Sequence, residues 1–314
     1  MRAVAAVVLA ALGACRDAPL PRAKLYPAGT ALQARYVRVE GTNIRYVDTG
    51  RGTPVIFLHG LGASIYAWRD ILGPVAAAGF RAVAFDNRGF GLSDKPARGY
   101  ANADYVRLLG TLMDSLEITD AVVVGHSMGG AVAAEFALAH PDRVRGLVLI
   151  DAAGMGVGTP FVLRLAGWPL VGRIVSGLRG RWITGRLLRS MYADPRKVRE
   201  EDVDQYYAPV AGPDFGRALR GVLGAFRFDA LRGRLGGIGR PTLVLWGEED
   251  RWIPLWMGRA AALELPRAAL LTIGKAGHAL PEEAPREVTR DLIAFLQKGV
   301  PAPPPNLANL LSTQ

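Results

Sequence analysis

Residues 121–130 read Ala-Val-Val-Val-Gly-His-Ser-Met-Gly-Gly. An unbroken apolar run over 121–124, rich in β-branched side chains, suits a strand buried on both faces. The Ala-rich stretch over 129–139 suits a helix, stopped by Pro141. Ser127 is therefore expected on a sharp turn from strand to helix. Such a turn exposes the hydroxyl in a strained conformation and sets it at the positive end of a helix dipole. Small residues at Gly125, Gly129 and Gly130 leave room for neighbouring backbone to come close. The Gly-x-Ser-x-Gly pattern alone is weak, because seven serines and 38 glycines in 314 residues give about 0.1 matches by chance. The strand before it and the helix after it separate this reading from a Gly-rich helix cap.

Working outward, short apolar runs recur at 55–58, 82–85, 147–150, 243–246 and 269–273, with helical stretches at 67–78, 105–116, 255–264 and 285–298. Alternation of buried strands and helices implies a mostly parallel central sheet flanked by helices, the α/β class. Residues 35–40 and 43–48 alternate apolar and polar side chains around Gly41-Thr42, which predicts an antiparallel hairpin at one edge. Residues 152–239 contain no convincing strand but carry Trp168, Trp182, Tyr192, Tyr206, Tyr207, Phe215, Phe226 and Phe228. They are expected as a helical insertion, dividing a core formed by 35–151 and 240–299. Their aromatic residues are first of all packing residues.

A serine hydroxyl needs a base. Of four histidines, His59 precedes a Gly-rich loop, His126 lies within the turn and His140 precedes Pro141. His278, in Gly274-Lys275-Ala276-Gly277-His278 after the last strand, is the remaining candidate. An acid that orients it should follow a strand and precede it in sequence. Glu248, Glu249 and Asp250 qualify, and Asp151 at the end of the 147–150 strand is an alternative. His59-Gly60-Leu61-Gly62 follows another strand, so the backbone N–H of Leu61, with that of Met128, could bind a developing oxyanion.

These pieces together resemble the α/β-hydrolase superfamily, in its branch of small lidded esterases, lipases and related hydrolases. The resemblance rests on His59-Gly60-Leu61-Gly62, on Asp86-Asn87-Arg88-Gly89-Phe90-Gly91-Leu92-Ser93-Asp94, on the Ser127 turn, on Gly247-Glu248-Glu249-Asp250 with Pro254, and on Gly277-His278. It spans residues 35–299 in the family's order and implies Asp250 as the acid, His278 as the base and 152–239 as a cap over the pocket. Ser127 stands where epoxide hydrolases and haloalkane dehalogenases carry Asp. Ring-cleavage-product hydrolases often carry Trp after the catalytic His, where this chain has Ala279. The resemblance thus implies a serine carboxylic ester hydrolase acting on small apolar substrates through an acyl-enzyme, with no cofactor or metal. A carbon–carbon bond hydrolase or perhydrolase with the same triad is the alternative. A lipid-anchored binding protein with a silent triad is the reading from another class.

The net charge is +10 and nearly all of the positive charge is Arg. No Lys/Arg run marks a nucleic-acid patch, so no nucleic acid is expected as partner. Attraction to an anionic membrane surface stays open. Residues 3–12 form an apolar run too short to span a bilayer, followed by Leu12-Gly13-Ala14-Cys15. This resembles a bacterial lipobox, with 1–14 as a lipoprotein-type signal and Cys15, the sole cysteine, as the lipidated residue. An extracytoplasmic, membrane-anchored protein follows from that resemblance; a cleaved signal without lipid would instead give a secreted or periplasmic one. Residues 15–34, with Pro19, Pro21 and Pro27, read as a tether, and the Pro-rich 300–314 as a loosely ordered tail.

Overall fold

The computed structural model describes residues 18–155 and 180–299. Its strands are β1 (Ala34–Val39), β2 (Thr42–Thr49), β3 (Pro54–Leu58), β4 (Arg81–Phe85), β5 (Ala121–His126), β6 (Val144–Ile150), β7 (Thr242–Gly247) and β8 (Ala268–Ile273). They form one sheet in the order β1-β2-β4-β3-β5-β6-β7-β8. The hairpin β1–β2 and the β2–β4 pair are antiparallel. All other pairs are parallel. This is the α/β-hydrolase arrangement, with the antiparallel hairpin at the edge that the alternating pattern around Gly41 predicts.

The sheet is buried on both faces, and the side chains divide with period two. Ile56, Leu58, Val123, Leu147, Leu149, Val244 and Trp246 point to one core cluster. Val55, Phe57, Val122, Val124, Val148, Ile150, Leu243 and Leu245 point to the other. The first face is covered by the helices Asn102–Ser115, Met128–Ala139 and Leu255–Glu264, the second by Leu72–Ala77 and Pro285–Lys298. Complete burial of side chains such as Val123, Leu147 and Leu245 contributes roughly 1.5–3 kcal/mol each. That is the reason these runs carry no polar residue.

The winding reverses at β3. The chain leaves β3 for β4 on one side, then crosses back to place β5 on the other. Loops leaving the carboxyl ends of β3 and β5 therefore diverge and open a crevice, the usual place for a ligand in a sheet of this kind. Ser127 follows β5 and the 59–62 loop follows β3.

Two sequence expectations change in detail. The helix expected over 67–78 is a 3-10 turn, Ile65–Trp68, followed by the helix Leu72–Ala77. Pro74 explains the break, because its ring excludes a carbonyl one turn earlier and it has no N–H to give. It fits instead in the first turn of the second helix. Within the segment read as a tether, Leu25, Tyr26 and Pro27 are packed against the fold. Leu25 and Tyr26 are buried, the Tyr26 N–H donates to Gln205 Oε1 at 2.9 Å, and its carbonyl accepts from Arg45.

Among the described residues of 152–239 there is no strand, and the helices Arg181–Ser190, Glu200–Ala211 and Phe215–Ala225 lie there. Buried charge ties them to the sheet domain: Arg69 lies 3.3 Å from Asp202 and 2.5 Å from Glu282, while Tyr66 Oη donates to Asp202 at 2.6 Å. The signal, Cys15 and the 300–314 tail lie outside the described residues. No helix among the described residues is long and apolar enough to cross a membrane.

Candidate active site

Ser127 occupies φ 52°, ψ −120°, a conformation L-residues rarely adopt. The close contacts that hold it there explain the glycines. A Cβ on Gly125 would lie 2.4 Å from the Gly129 carbonyl oxygen, and one on Gly129 would lie 2.2 Å from that of Leu58. No other residue fits this turn. The Ser127 N–H donates to the Ile150 carbonyl at 3.0 Å, and the Ser127 carbonyl accepts from Gly130, Ala131 and Ala153. The backbone is satisfied and the side chain is left to the crevice.

His278 Nε2 lies 3.0 Å from Ser127 Oγ, and His278 Nδ1 lies 2.8 Å from Asp250 Oδ2. A carboxylate only accepts, so the proton sits on Nδ1 and Nε2 is free to take one from the hydroxyl. Asp250 Oδ1 accepts the N–H groups of Trp252 at 2.7 Å and Ile253 at 2.8 Å, which fixes the carboxylate plane. Both Asp250 and His278 are buried. Ser127, Asp250 and His278, from the loops after β5, β7 and β8, thus meet at the carboxyl end of the sheet with His278 between the other two, the geometry of a nucleophile–base–acid triad.

Asp151, the alternative acid, has a different environment. It is fully buried at the end of β6, accepts the Gly247 N–H on Oδ1 at 2.9 Å, and leaves Oδ2 without a partner. Burial, reinforced by the Asp250 charge, raises its carboxyl well above the ordinary range. Asp250, held by the imidazole and two N–H groups, has the orienting geometry, and Asp151 makes no hydrogen bond to His278. Glu248 points elsewhere, accepting from Thr272 Oγ1 at 2.7 Å.

The 59–62 loop shows how an N–H is aimed. His59 Nε2 accepts the Asn87 N–H at 2.9 Å, so its proton is on Nδ1, 2.8 Å from the Gly60 carbonyl oxygen. Burial lowers the His59 pKa and keeps the ring neutral. In a trans peptide C=O and N–H point oppositely. Holding the Gly60 oxygen on His59 therefore turns the Leu61 N–H away from that ring. A Cβ on Gly60 would lie 3.0 Å from Ser127 Cβ, so this peptide runs directly beside the serine. Neither Leu61 nor Met128 donates its N–H to an acceptor among the described residues. Both are available to an oxygen in the crevice.

Three further residues engage the triad without having been singled out as site residues. His126 Nε2 donates to the His278 carbonyl at 2.7 Å, and burial pushes its pKa down to about 3. The Trp252 ring stacks parallel to the His278 imidazole, with centroids 5.9 Å apart and planes 9° apart. Glu283 accepts the Gly277 N–H at 2.7 Å. Only the position of Trp252, two residues past the acid, is a signal available in sequence; the other two contacts depend on tertiary structure.

His126, Asp151 and His278 are the one cluster among the described residues that brings three ligand-type atoms within 4.8 Å. Both imidazole nitrogens of His278 are committed to Ser127 and Asp250, so a metal there would dismantle the triad. A concavity of about 490 Å³ on the helices Asn102–Ser115 and Met128–Ala139, lined by Arg107, Glu135, His140 and Arg143, shares no residue with the triad. We take the crevice as the candidate site, on chemistry. Half-buried Leu61, Ile253 and Leu255 supply apolar surface near it.

The chain was compared with known proteins. A family described as the alpha/beta hydrolase fold matches residues 53–285. The 2-hydroxymuconate semialdehyde hydrolase of Pseudomonas sp. (strain CF600) is 32% identical over 255 residues, covering 78% of this chain and 87% of that protein. The structure of the meta-cleavage product hydrolase CumD from Pseudomonas fluorescens IP01 is 26% identical and superposes with a TM-score of 0.74, covering 84% of this chain and 97% of that one. A membrane phospholipase A, described as a bacterial virulence factor, is 26% identical with a TM-score of 0.72, covering 85% and 86%.

Proposed function

Because the chain belongs to the α/β-hydrolase family, we propose that it is a serine hydrolase that cleaves a carbon–carbon bond next to a ketone in an anionic 2-hydroxy-6-oxo-dienoate-type substrate. The observation that carries the catalytic part is the hydrogen-bonded line from Ser127 Oγ through His278 to Asp250 Oδ2. The substrate class is supported by the similarity to the 2-hydroxymuconate semialdehyde hydrolase and to CumD. A net charge of +10 favours encounter with an acidic substrate. These similarities shift the reading from the ester hydrolysis expected in sequence to the carbon–carbon alternative. Ala279 in place of a Trp after the base weighed against that alternative. The Trp252 ring, brought against the imidazole from another loop, weakens the objection.

Under this reading His278 Nε2 removes the Ser127 proton as Oγ adds to the ketone carbon. The negative charge on the former ketone oxygen meets the N–H groups of Leu61 and Met128. The carbonyl re-forms as the bond to the dienol carbon breaks. This break requires the dienol to have tautomerised first, its hydroxyl proton moving to that carbon. The electron pair then delocalises through the remaining double bond onto the 2-oxo oxygen, which takes the proton from His278. Water, deprotonated by the same imidazole, then adds to the acyl group and releases the second acid and Ser127. The inserted segment 152–239 serves as the cap. Residues 1–15 serve as the lipoprotein signal and anchor.

Ester hydrolysis is the second reading. It is favoured by the similarity to the membrane phospholipase A and by the apolar Leu61, Ile253 and Leu255. The test is turnover of a 2-hydroxy-6-oxo-6-phenyl dienoate, followed by loss of its visible absorbance, against p-nitrophenyl esters of graded chain length. A kcat/KM at least 100-fold higher for the dienoate supports the carbon–carbon reading. The reverse ratio, with both activities lost in S127A, assigns ester hydrolysis.

A further inference from the structure

We infer that Glu283 is the positioning residue of the base: it clamps the His278 loop to the helical segment, so the imidazole meets Ser127 only when 190–194 is seated. This rests on the triad reading above.

The loop that carries His278 has little structure of its own. Residues 274–279 form no helix or strand between β8 and the short helix Leu280–Glu283. Its geometry is imposed from outside. The Glu283 side chain has no exposed surface. Its Oε2 accepts the N–H of Gly277 at 2.7 Å and of Ala193 at 2.9 Å; its Oε1 accepts that of Asp194 at 3.0 Å. Lys197 Nζ lies 3.5 Å from Oε1 and supplies the opposite charge. One carboxylate therefore joins the N–H of the residue before His278 to two peptides of the inserted segment.

The peptide just after the base is tied to the same place. The Ala279 N–H donates to the Met191 carbonyl at 3.1 Å. A Cβ on Gly277 would lie 2.6 Å from that carbonyl oxygen and 2.7 Å from the Ala193 nitrogen, so the two backbones are in direct contact. A third link runs through Trp252, whose Nε1 donates to the Ser190 carbonyl at 3.2 Å while its ring stacks on the imidazole. His278 is thus flanked on both sides along the chain, and along its ring, by groups fixed to residues 190–194.

Only an ionised carboxylate can do what Glu283 does. Three N–H groups converge on two oxygens, each accepting a charge-assisted bond. Glutamine has the same shape but offers one oxygen, and its NH2 would face a donor. Aspartate keeps both oxygens and the charge but falls one methylene short.

The test uses the full chain. Wild type, E283Q and E283D are compared by steady-state kinetics on a turned-over substrate and by proton NMR of the hydrogen-bonded Nδ1–H of His278. For E283Q, kcat falls about 100-fold with KM within a few-fold, because a shifted base misplaces the proton transfer, not substrate binding. The downfield Nδ1–H resonance of E283Q moves or broadens while urea unfolding stays cooperative. E283D lies between wild type and E283Q in both readouts. Should E283Q not fold, E283D alone decides, by the same split of kcat from KM and the same resonance. Wild-type kcat with an unmoved resonance in the folded variant overturns the proposal. A wild type in which Ser127 proves unreactive overturns the triad reading instead, and the resonance still reports on Glu283.

Discussion

Nε2 of His126 lies 2.7 Å from the backbone oxygen of His278, so the residue preceding Ser127 holds the loop that carries His278. The carbonyl can only accept, which places a proton of His126 on Nε2; Nδ1 is buried without a partner, and burial disfavours a second proton there, so the ring stays neutral. Glu283 grips the same loop from the side of the inserted segment, and His126 from the side of the sheet.

That neutrality has a consequence for stability. Burial pushes the pKa of His126 from 6.5 down to about 3. Between these values the unfolded histidine binds a proton that the folded one does not. The contribution is complete above pH 6.5 and is lost as pH falls toward 3. Asp151, whose carboxyl pKa is raised by burial, acts with the opposite sign, so the comparison must be made by difference. H126Q removes the titration but keeps an amide donor. The unfolding free energy of wild type minus that of H126Q is expected to fall by about 1.4 kcal/mol per pH unit between pH 6 and 4. Urea titrations across that range measure it.

The two buried aspartates should separate cleanly. D250N removes the charge that sets the tautomer of His278, and kcat is expected to drop by about 10³–10⁴. D151N replaces a carboxyl that makes no hydrogen bond to His278 and that burial drives toward its neutral form, and kcat is expected to stay within about fivefold of wild type. Steady-state kinetics on either candidate substrate checks both. A larger loss in D151N would reassign the acid.

How far the sequence carries is seen in particular residues. The strands and the layers were legible because runs such as 121–124 and 243–246 must be buried on both faces, whereas the order of the strands was not. Ser127 was legible because its turn tolerates only glycine at 125 and 129. His278 could be named by elimination among four histidines. The choice of Asp250 over Asp151 needed the resemblance, since both follow strands. What sequence did not show are contacts made across the fold. His126 and Glu283 reach the loop of His278 from β5 and from the side of the inserted segment with no local pattern to announce them, and Trp252 is announced only by its place two residues past Asp250. Pro74 did carry a signal, and the single helix expected over 67–78 overlooked it. The docking of Leu25 and Tyr26 depends on Arg45 and Gln205, neither of them a neighbour in sequence.

The anchor is tested independently of the chemistry. Cys15 is the sole cysteine of the chain. Expressed in a bacterial host from its own start, the wild-type protein is expected in the membrane fraction and C15S in the soluble one. Metabolic labelling with a fatty-acid analogue is expected to mark wild type only. Equal membrane retention of C15S, without label in either protein, would contradict lipidation.

Reaction of the protein with a fluorophosphonate, read by peptide mass spectrometry, tests the triad most directly. The expected result is one adduct, on Ser127, formed in wild type and slowed by at least about 10³-fold in H278A. An unmodified Ser127 peptide, together with undiminished turnover in S127A, would contradict it.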